Sequence, residues 1–131
     1  MSMSLAQKLA ADSIAAVAEG RNLQDVLAQI RAAHPELTAQ ENGALQDIAY
    51  GCQRYLGSLK HMLAQMLKKP IDNPQLESLL LSAMYQLHYT RNAPHAVVNE
   101  AVESIAKIGR GQYRSFANAI LRRFLRERQK L

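Results

Sequence analysis

Apolar residues recur every three to four positions along most of this chain, and the runs stop at glycine, proline or a capping residue. This period places the apolar side chains on one face of an α-helix, whereas a half-buried strand would alternate every second residue. Aromatic residues make up only 5% of the chain, and this scarcity also favours helices over sheets. The sequence therefore predicts an all-α fold, a compact bundle of six or seven helices without a strand.

Capping residues mark the beginnings of several predicted helices. Asn22 can accept a hydrogen bond from the backbone of a second helix. Thr38 and Glu41 have the spacing of a capping box that opens a third helix. Asn73 followed by Pro74 is typical of a cap with proline at the first helical position. The last two helices are expected to begin at Pro94 and after the turn at residues 109–111.

Other features are predicted from glycine, proline and the apolar pattern. The third helix is expected to break or bend near Gly57-Ser58, and the run that follows is expected to stop at Lys69-Pro70. Gly51 is expected to mark a close approach of two helices. The last helix should place seven apolar residues on its core side: Tyr113, Phe116, Ala117, Ile120, Leu121, Phe124 and Leu125.

The length and the single cysteine limit the classes of protein to which this chain can belong. A chain of 131 residues fits one domain, residues 1–131. Cys52 has no second cysteine to pair with, which is typical of a reducing cytoplasm. No run approaches the length of a membrane-spanning helix, and the first residues lack a secretory pattern. The sequence predicts a cytoplasmic protein without a membrane partner.

No catalytic or metal site is predicted in this chain. The four histidines are scattered, and none has the i, i+4 partner of a helical zinc site. Cys52 lies on the apolar face of a predicted helix, where a cysteine usually only packs. We therefore expect neither a catalytic residue nor a bound cofactor here.

Positive charge is concentrated at the C-terminal end. The net charge is +5, but residues 107–131 carry +7 and the remaining residues −2. Arg114, Asn118, Arg122, Arg126 and Lys130 follow one another in steps of four, so they form one stripe along a helix. Such a surface suits a polyanion, because each phosphate contact releases counterions. The predicted RNA-binding residues, called the basic strip below, are Lys107, Arg110, Arg114, Arg122, Arg123, Arg126, Arg128 and Lys130.

Two alternatives bear on this interpretation. The strip could be an ordinary solvated helix face, although seven net charges exceed what the dipole at a helix end requires. The five tyrosines could stack on bases, but each lies near an apolar stripe, so packing in the core is favoured for all of them: Tyr50, Tyr55, Tyr85, Tyr89 and Tyr113.

Three segments resemble the NusB-like helical domain. Residues 79–87 read LLLSAMYQL, residues 94–103 read PHAVVNEAVE, and residues 116–123 read FANAILRR. This domain occurs as the free-standing antitermination factor NusB and as the N-terminal domain of ribosomal RNA cytosine-5 methyltransferases of the RsmB (Sun/Fmu) type. The second kind is the more similar, because residues 50–56 (YGCQRYL) and 68–71 (KKPI) look like that domain, and only Lys8 stands where NusB has an arginine-rich arm.

The resemblance implies an RNA-binding domain excised from a longer enzyme. The parent would transfer a methyl group from S-adenosylmethionine to C5 of a cytosine in 16S ribosomal RNA. Its cofactor site and catalytic cysteine would lie beyond Leu131. The partners would be ribosomal RNA and the enzyme's own C-terminal catalytic domain. Within the matching segments, we expect four residues to be structural, as a helix start and buried side-chain caps: Pro94, His95, Asn99 and Asn118.

Two other functions stay open at this point. A free-standing antitermination factor would bind RNA together with a ribosomal protein. A structural helical module would place the basic strip against an acidic protein surface, either on its own catalytic domain or on a second copy.

Overall fold

Seven α-helices build the chain in a computed structural model that describes residues 3–131. The helices are α1 (Ser4–Ala18), α2 (Leu23–Ala33), α3 (Ala39–Arg54), α4 (Leu56–Gln65), α5 (Pro74–Tyr89), α6 (Pro94–Ala106) and α7 (Arg114–Glu127). A short 3-10 helix, Arg128–Lys130, continues α7. Within the described residues there is no strand, so the all-α prediction is confirmed. None of these helices is both long and apolar enough to cross a membrane.

The helix α5 lies at the centre of the bundle. Every residue from Leu76 to Leu87 except Glu77 is buried, and α5 packs against α1, α3, α4, α6 and α7. Ser82 is buried in this helix without leaving an unpaired hydroxyl, because its hydroxyl donates to the carbonyl oxygen of Ser78 at 2.9 Å. These five helices therefore present their apolar faces to a common centre, while α2 packs mainly on α1.

The predicted caps are confirmed. The side chain of Asn22 accepts from the backbone N–H of Asp25 at 3.1 Å. Thr38 and Glu41 form both hydrogen bonds of the capping box, at 3.0 and 2.9 Å. Asn73 accepts from Leu76 at 3.0 Å, with Pro74 at the first position of α5.

The predicted break near Gly57-Ser58 is confirmed, and it lies two residues earlier, at Tyr55. Gly57 and Ser58 lie inside α4, which ends at Gln65, before the expected stop at Lys69-Pro70. Tyr55 has φ −109° and ψ 18°, and its ring stacks on the ring of Tyr89 at 3.9 Å. The chain turns where an aromatic ring docks on α5, and this tertiary contact leaves no signal in the local sequence.

The predicted close approach at Gly51 is confirmed. A Cβ atom at this position would lie 2.1 Å from Cζ of Tyr85. The ring of Tyr85 therefore occupies the space that a side chain at residue 51 would need. Its hydroxyl donates to Asp47 at 2.7 Å, which fixes the ring between α3 and α5.

One residue of α7 does not follow the expected core pattern. Ala117, Ile120, Leu121 and Phe124 are buried as predicted, but Phe116 is 38% exposed. At about 100° per residue, Phe116 lies about 90° from the centre of that buried face. It points instead toward the loop at residues 66–72, with which it lines an open apolar groove.

Candidate nucleic-acid interface

The amphipathic helix α7 presents three residues of the basic strip to solvent: Arg114, Arg122 and Arg126. Its buried face packs against α5 and α6, so the opposite side of the helix faces outward. The turn before it reverses the chain at Gly109 and Gly111, whose positive φ values of 61° and 81° favour glycine. Lys107 and Arg110 are exposed in and beside this turn, so they extend the positive surface beyond the first turn of α7.

Four residues of the strip have free cationic groups. Lys107, Arg110, Arg126 and Lys130 are exposed, and their side chains make no hydrogen bond or ion pair within residues 3–131. A cation that is neither buried nor paired loses little when it meets a phosphate, because no internal contact must be broken first. Within the strip, these four are the most readily available phosphate contacts.

Two further arginines are exposed but lightly held. Arg114 pairs with Glu103 of α6 at 3.2 Å, with side-chain exposures of 53% and 64%. Arg122 donates from Nε to Oδ1 of Asn118 at 3.1 Å. Both contacts are weak in water, and each leaves other N–H groups of the guanidinium free to donate. These arginines can therefore bind an anion while they keep their present orientation.

Arg123 and Arg128 differ from the other six residues of the strip, because both are half-buried and bound to the bundle. Arg123 donates to Glu127 at 3.2 Å and to the carbonyl oxygen of Met66, just beyond α4, at 3.4 Å. Arg128 donates to the carbonyl oxygen of Leu87 in α5. Cations at these carbonyl groups stabilise helix C-terminal ends, so we expect both arginines to stabilise the fold. Their part in RNA binding stays a prediction.

A polar cleft opens between α6 and α7, beside the strip. It has a volume of about 310 Å³ and is lined by Asn99, Val102, Glu103, Arg114, Ser115 and Asn118. The expectation that Asn99 and Asn118 are buried caps is wrong, because Asn99 is exposed and Asn118 is half-buried. His95 is exposed as well, whereas Pro94 begins α6 as expected. The spacing of these residues relative to the apolar residues of each helix could not show that the two amides face one cleft on the outer surface.

The tyrosines are only partly in the core. Tyr85 is buried, while Tyr50 is 41% exposed, contrary to the expectation of core packing. Tyr55, Tyr89 and Tyr113 are half-buried against the core. The rings of Tyr55, Tyr85 and Tyr89 stack on one another, and the guanidinium of Arg54 lies 5.4 Å from the centre of the Tyr55 ring. This cluster joins α3, α4 and α5.

Burial shifts the pKa of Cys52 in the core and of the half-buried His88. Burial, with a smaller contribution from Asp47, raises the pKa of the Cys52 thiol far above neutrality, so the thiol stays protonated. Burial and the nearby charge of Arg128 lower the pKa of His88. Within the described residues, no cluster of three or more His, Cys, Asp or Glu could hold a metal ion.

Comparison with known proteins agrees with the resemblance that three segments indicated. The profile of the NusB family matches residues 4–126. Ribosomal RNA small subunit methyltransferase B of Pectobacterium carotovorum is 34% identical over 124 residues, which cover 91% of this chain and 29% of the relative. The protein of the same name from Sodalis glossinidius is 33% identical over 126 residues, 94% of this chain and 28% of the relative. The chain thus spans less than a third of these relatives.

Proposed function

Because the chain belongs to the NusB family, we propose that it is an RNA-binding helical domain and that the exposed residues of the basic strip are its main contacts. The observation that carries this proposal is that most cations of the strip are exposed and weakly held or unpaired. Six of its eight cations are exposed, in the turn before α7, along α7 and at Lys130 just after it, and four of them have no side-chain partner within the described residues.

A phosphate backbone suits this surface for two physical reasons. Arginine and lysine gain affinity by releasing the counterions condensed on a polyanion, whatever its sequence. The planar guanidinium of Arg122 or Arg126 also offers paired N–H groups that match a phosphate. A solvated helix face would show equal exposure, but it would show no salt-dependent affinity for RNA.

The relatives support a finer proposal. These relatives are named ribosomal RNA small subunit methyltransferase B, and we extend that activity to the whole protein of which this chain is one domain. This chain would help to bind 16S ribosomal RNA for a cytosine-5 methyltransferase in the cytoplasm. Its partners would be that RNA and the enzyme's own catalytic domain. The S-adenosylmethionine site would belong to the catalytic domain, and no residue of this chain is assigned to it.

Charge reversal tests the proposal directly. The double variant with Arg122→Glu and Arg126→Glu should bind single-stranded RNA more weakly, with a flatter dependence on salt, while thermal unfolding stays unchanged. The matched control carries Arg21→Glu and Lys60→Glu, two exposed residues outside the strip. Each substitution changes the charge by −2, so both variants go from +5 to +1. Equal losses in the two variants would mean that net charge, and not the strip, determines binding.

A further inference from the structure

The polar cleft between α6 and α7 contains amide N–H groups and one amide oxygen that make no hydrogen bond within residues 3–131. The side chain of Asn99 makes no hydrogen bond within residues 3–131, and it projects from α6 into the cleft. Across the cleft, Asn118 of α7 uses only its oxygen, as the acceptor for Arg122. Its Nδ2 donor and the hydroxyl of Ser115 have no partner within the same residues.

The cleft offers donors and acceptors together. Asn99 supplies one amide oxygen and two N–H donors, Asn118 adds N–H donors, and the carboxylate of Glu103 adds acceptors. Glu103 keeps its orientation through the ion pair with Arg114 at 3.2 Å. A phosphate accepts hydrogen bonds but cannot donate them to a carboxylate, so it does not suit the interior of this cleft. The favoured ligand is an uncharged planar group that both donates and accepts.

We propose that the cleft between α6 and α7 binds one unpaired, amino-bearing nucleobase of the RNA, read by Asn99 with Asn118 and Glu103 beside it. The inference rests on the proposed RNA-binding function and adds a base contact to it. An asparagine amide pairs with the amino group and adjacent ring nitrogen of adenine through two hydrogen bonds. Single-stranded RNA can turn such a base outward, whereas a duplex keeps it stacked.

The position of the cleft supports this ligand. Arg114 and Arg122 lie at its edge and leave guanidinium N–H groups free, so they can hold the phosphates on either side of an inserted base. A volume of about 310 Å³ is large enough for one base. The exposed strip alone would bind any polyanion, and the cleft would give this domain a preference among RNA sequences.

The test uses ribose-phosphate chains that differ only by one base. A base-free chain of about ten residues, within the usual site size for single-stranded RNA, is compared with the same chain carrying one central adenosine or one central uridine. The adenosine should increase the affinity of the unaltered protein about tenfold, and the uridine should add less. Asn99→Ala and the nearly isosteric, uncharged Asn99→Leu should both abolish the gain from adenosine and leave binding of the base-free chain unchanged.

Two controls make the outcome decisive. Gln40→Ala removes an exposed amide from α3 and should keep the tenfold gain, and thermal unfolding shows whether each variant is folded. If adenosine adds nothing to the unaltered protein, or if Asn99→Ala keeps the whole gain, the base-binding inference is overturned while RNA binding by the strip stands. If none of the chains binds and salt has no effect, the proposed function fails, and this inference fails with it.

Discussion

Neighbouring arginines on α7 should separate RNA binding from stability. Arg122 is exposed, and its guanidinium contacts only Asn118 within the described residues. Arg123 is half-buried and bound to Glu127 and to the carbonyl oxygen of Met66. We compare Arg122→Ala with Arg123→Ala, two variants that lose the same charge from adjacent positions on one helix.

The structure gives the size of each effect. The ion pair of Arg123 with Glu127 is an i, i+4 pair, partly exposed at 40% and 34%, and is worth about 0.4 kcal/mol. The charged hydrogen bond to Met66 adds about 1 kcal/mol, so Arg123→Ala should cost about 1.5 kcal/mol in all. For a chain of this size, that loss lowers the melting temperature by about 5 °C. Arg122→Ala should change stability by less than about 0.5 kcal/mol, as exposed substitutions usually do.

RNA binding should show the reverse order. Loss of one phosphate contact reduces the slope of log K against log salt by about 0.7 for single strands, and this change is expected for Arg122→Ala. Arg123→Ala should keep both the slope and the affinity as long as the protein is folded. Urea unfolding and fluorescence anisotropy with a labelled oligonucleotide measure the two properties. Larger loss of RNA affinity in Arg123→Ala, or larger loss of stability in Arg122→Ala, would refute this reading of the strip.

Three other predictions concern the interior. Gly51→Ala should lower the free energy of unfolding in urea by about 1–3 kcal/mol, because the new Cβ meets the ring of Tyr85. Gly57→Ala should raise it by about 0.5–1 kcal/mol, because Gly57 lies inside α4 with open space around it. Equal effects of the two substitutions would contradict the packing described. The pKa of His88 is lowered in the folded state from its usual 6.5, so the unfolded chain binds the proton more readily, and stability should fall as the pH drops below about 6.5 and on through the folded pKa. His88→Gln should remove that part of the pH dependence, and an NMR titration that gives an ordinary pKa would rule the effect out. Cys52 should resist a thiol reagent at neutral pH until the protein unfolds, because burial keeps its thiol protonated; rapid labelling of the folded protein would show an open core.

Features encoded by local chemistry could be predicted from the sequence. Asn22, Thr38 and Asn73 cap their helices because a side-chain oxygen a few atoms away satisfies a backbone N–H. The exact position of the break at Tyr55 could not be predicted in this way, because it depends on a ring of α5 that comes 34 positions later in the chain. The prediction that Phe116 is buried is wrong for a related reason. Helical spacing shows which residues share one face of α7, but it does not show how much of that face the neighbouring helices cover.

The candidate site was predictable in its charge but not in its detail. Steps of four placed Arg114, Arg122 and Arg126 on one side of α7, and all three are exposed. Local spacing could not show that the guanidinium of Arg123 reaches Met66, 57 positions away in sequence. The cleft that contains Asn99 depends equally on how α6 packs against α7.

The salt dependence of RNA binding by the unaltered protein tests the central claim most directly. Four unpaired cations and two lightly held arginines would make four to six phosphate contacts. The plot of log K against log salt for single-stranded RNA should then be linear, with a slope between about −3 and −4. A slope near zero, or no measurable binding at low salt, would contradict the claim that the exposed face of α7 binds RNA.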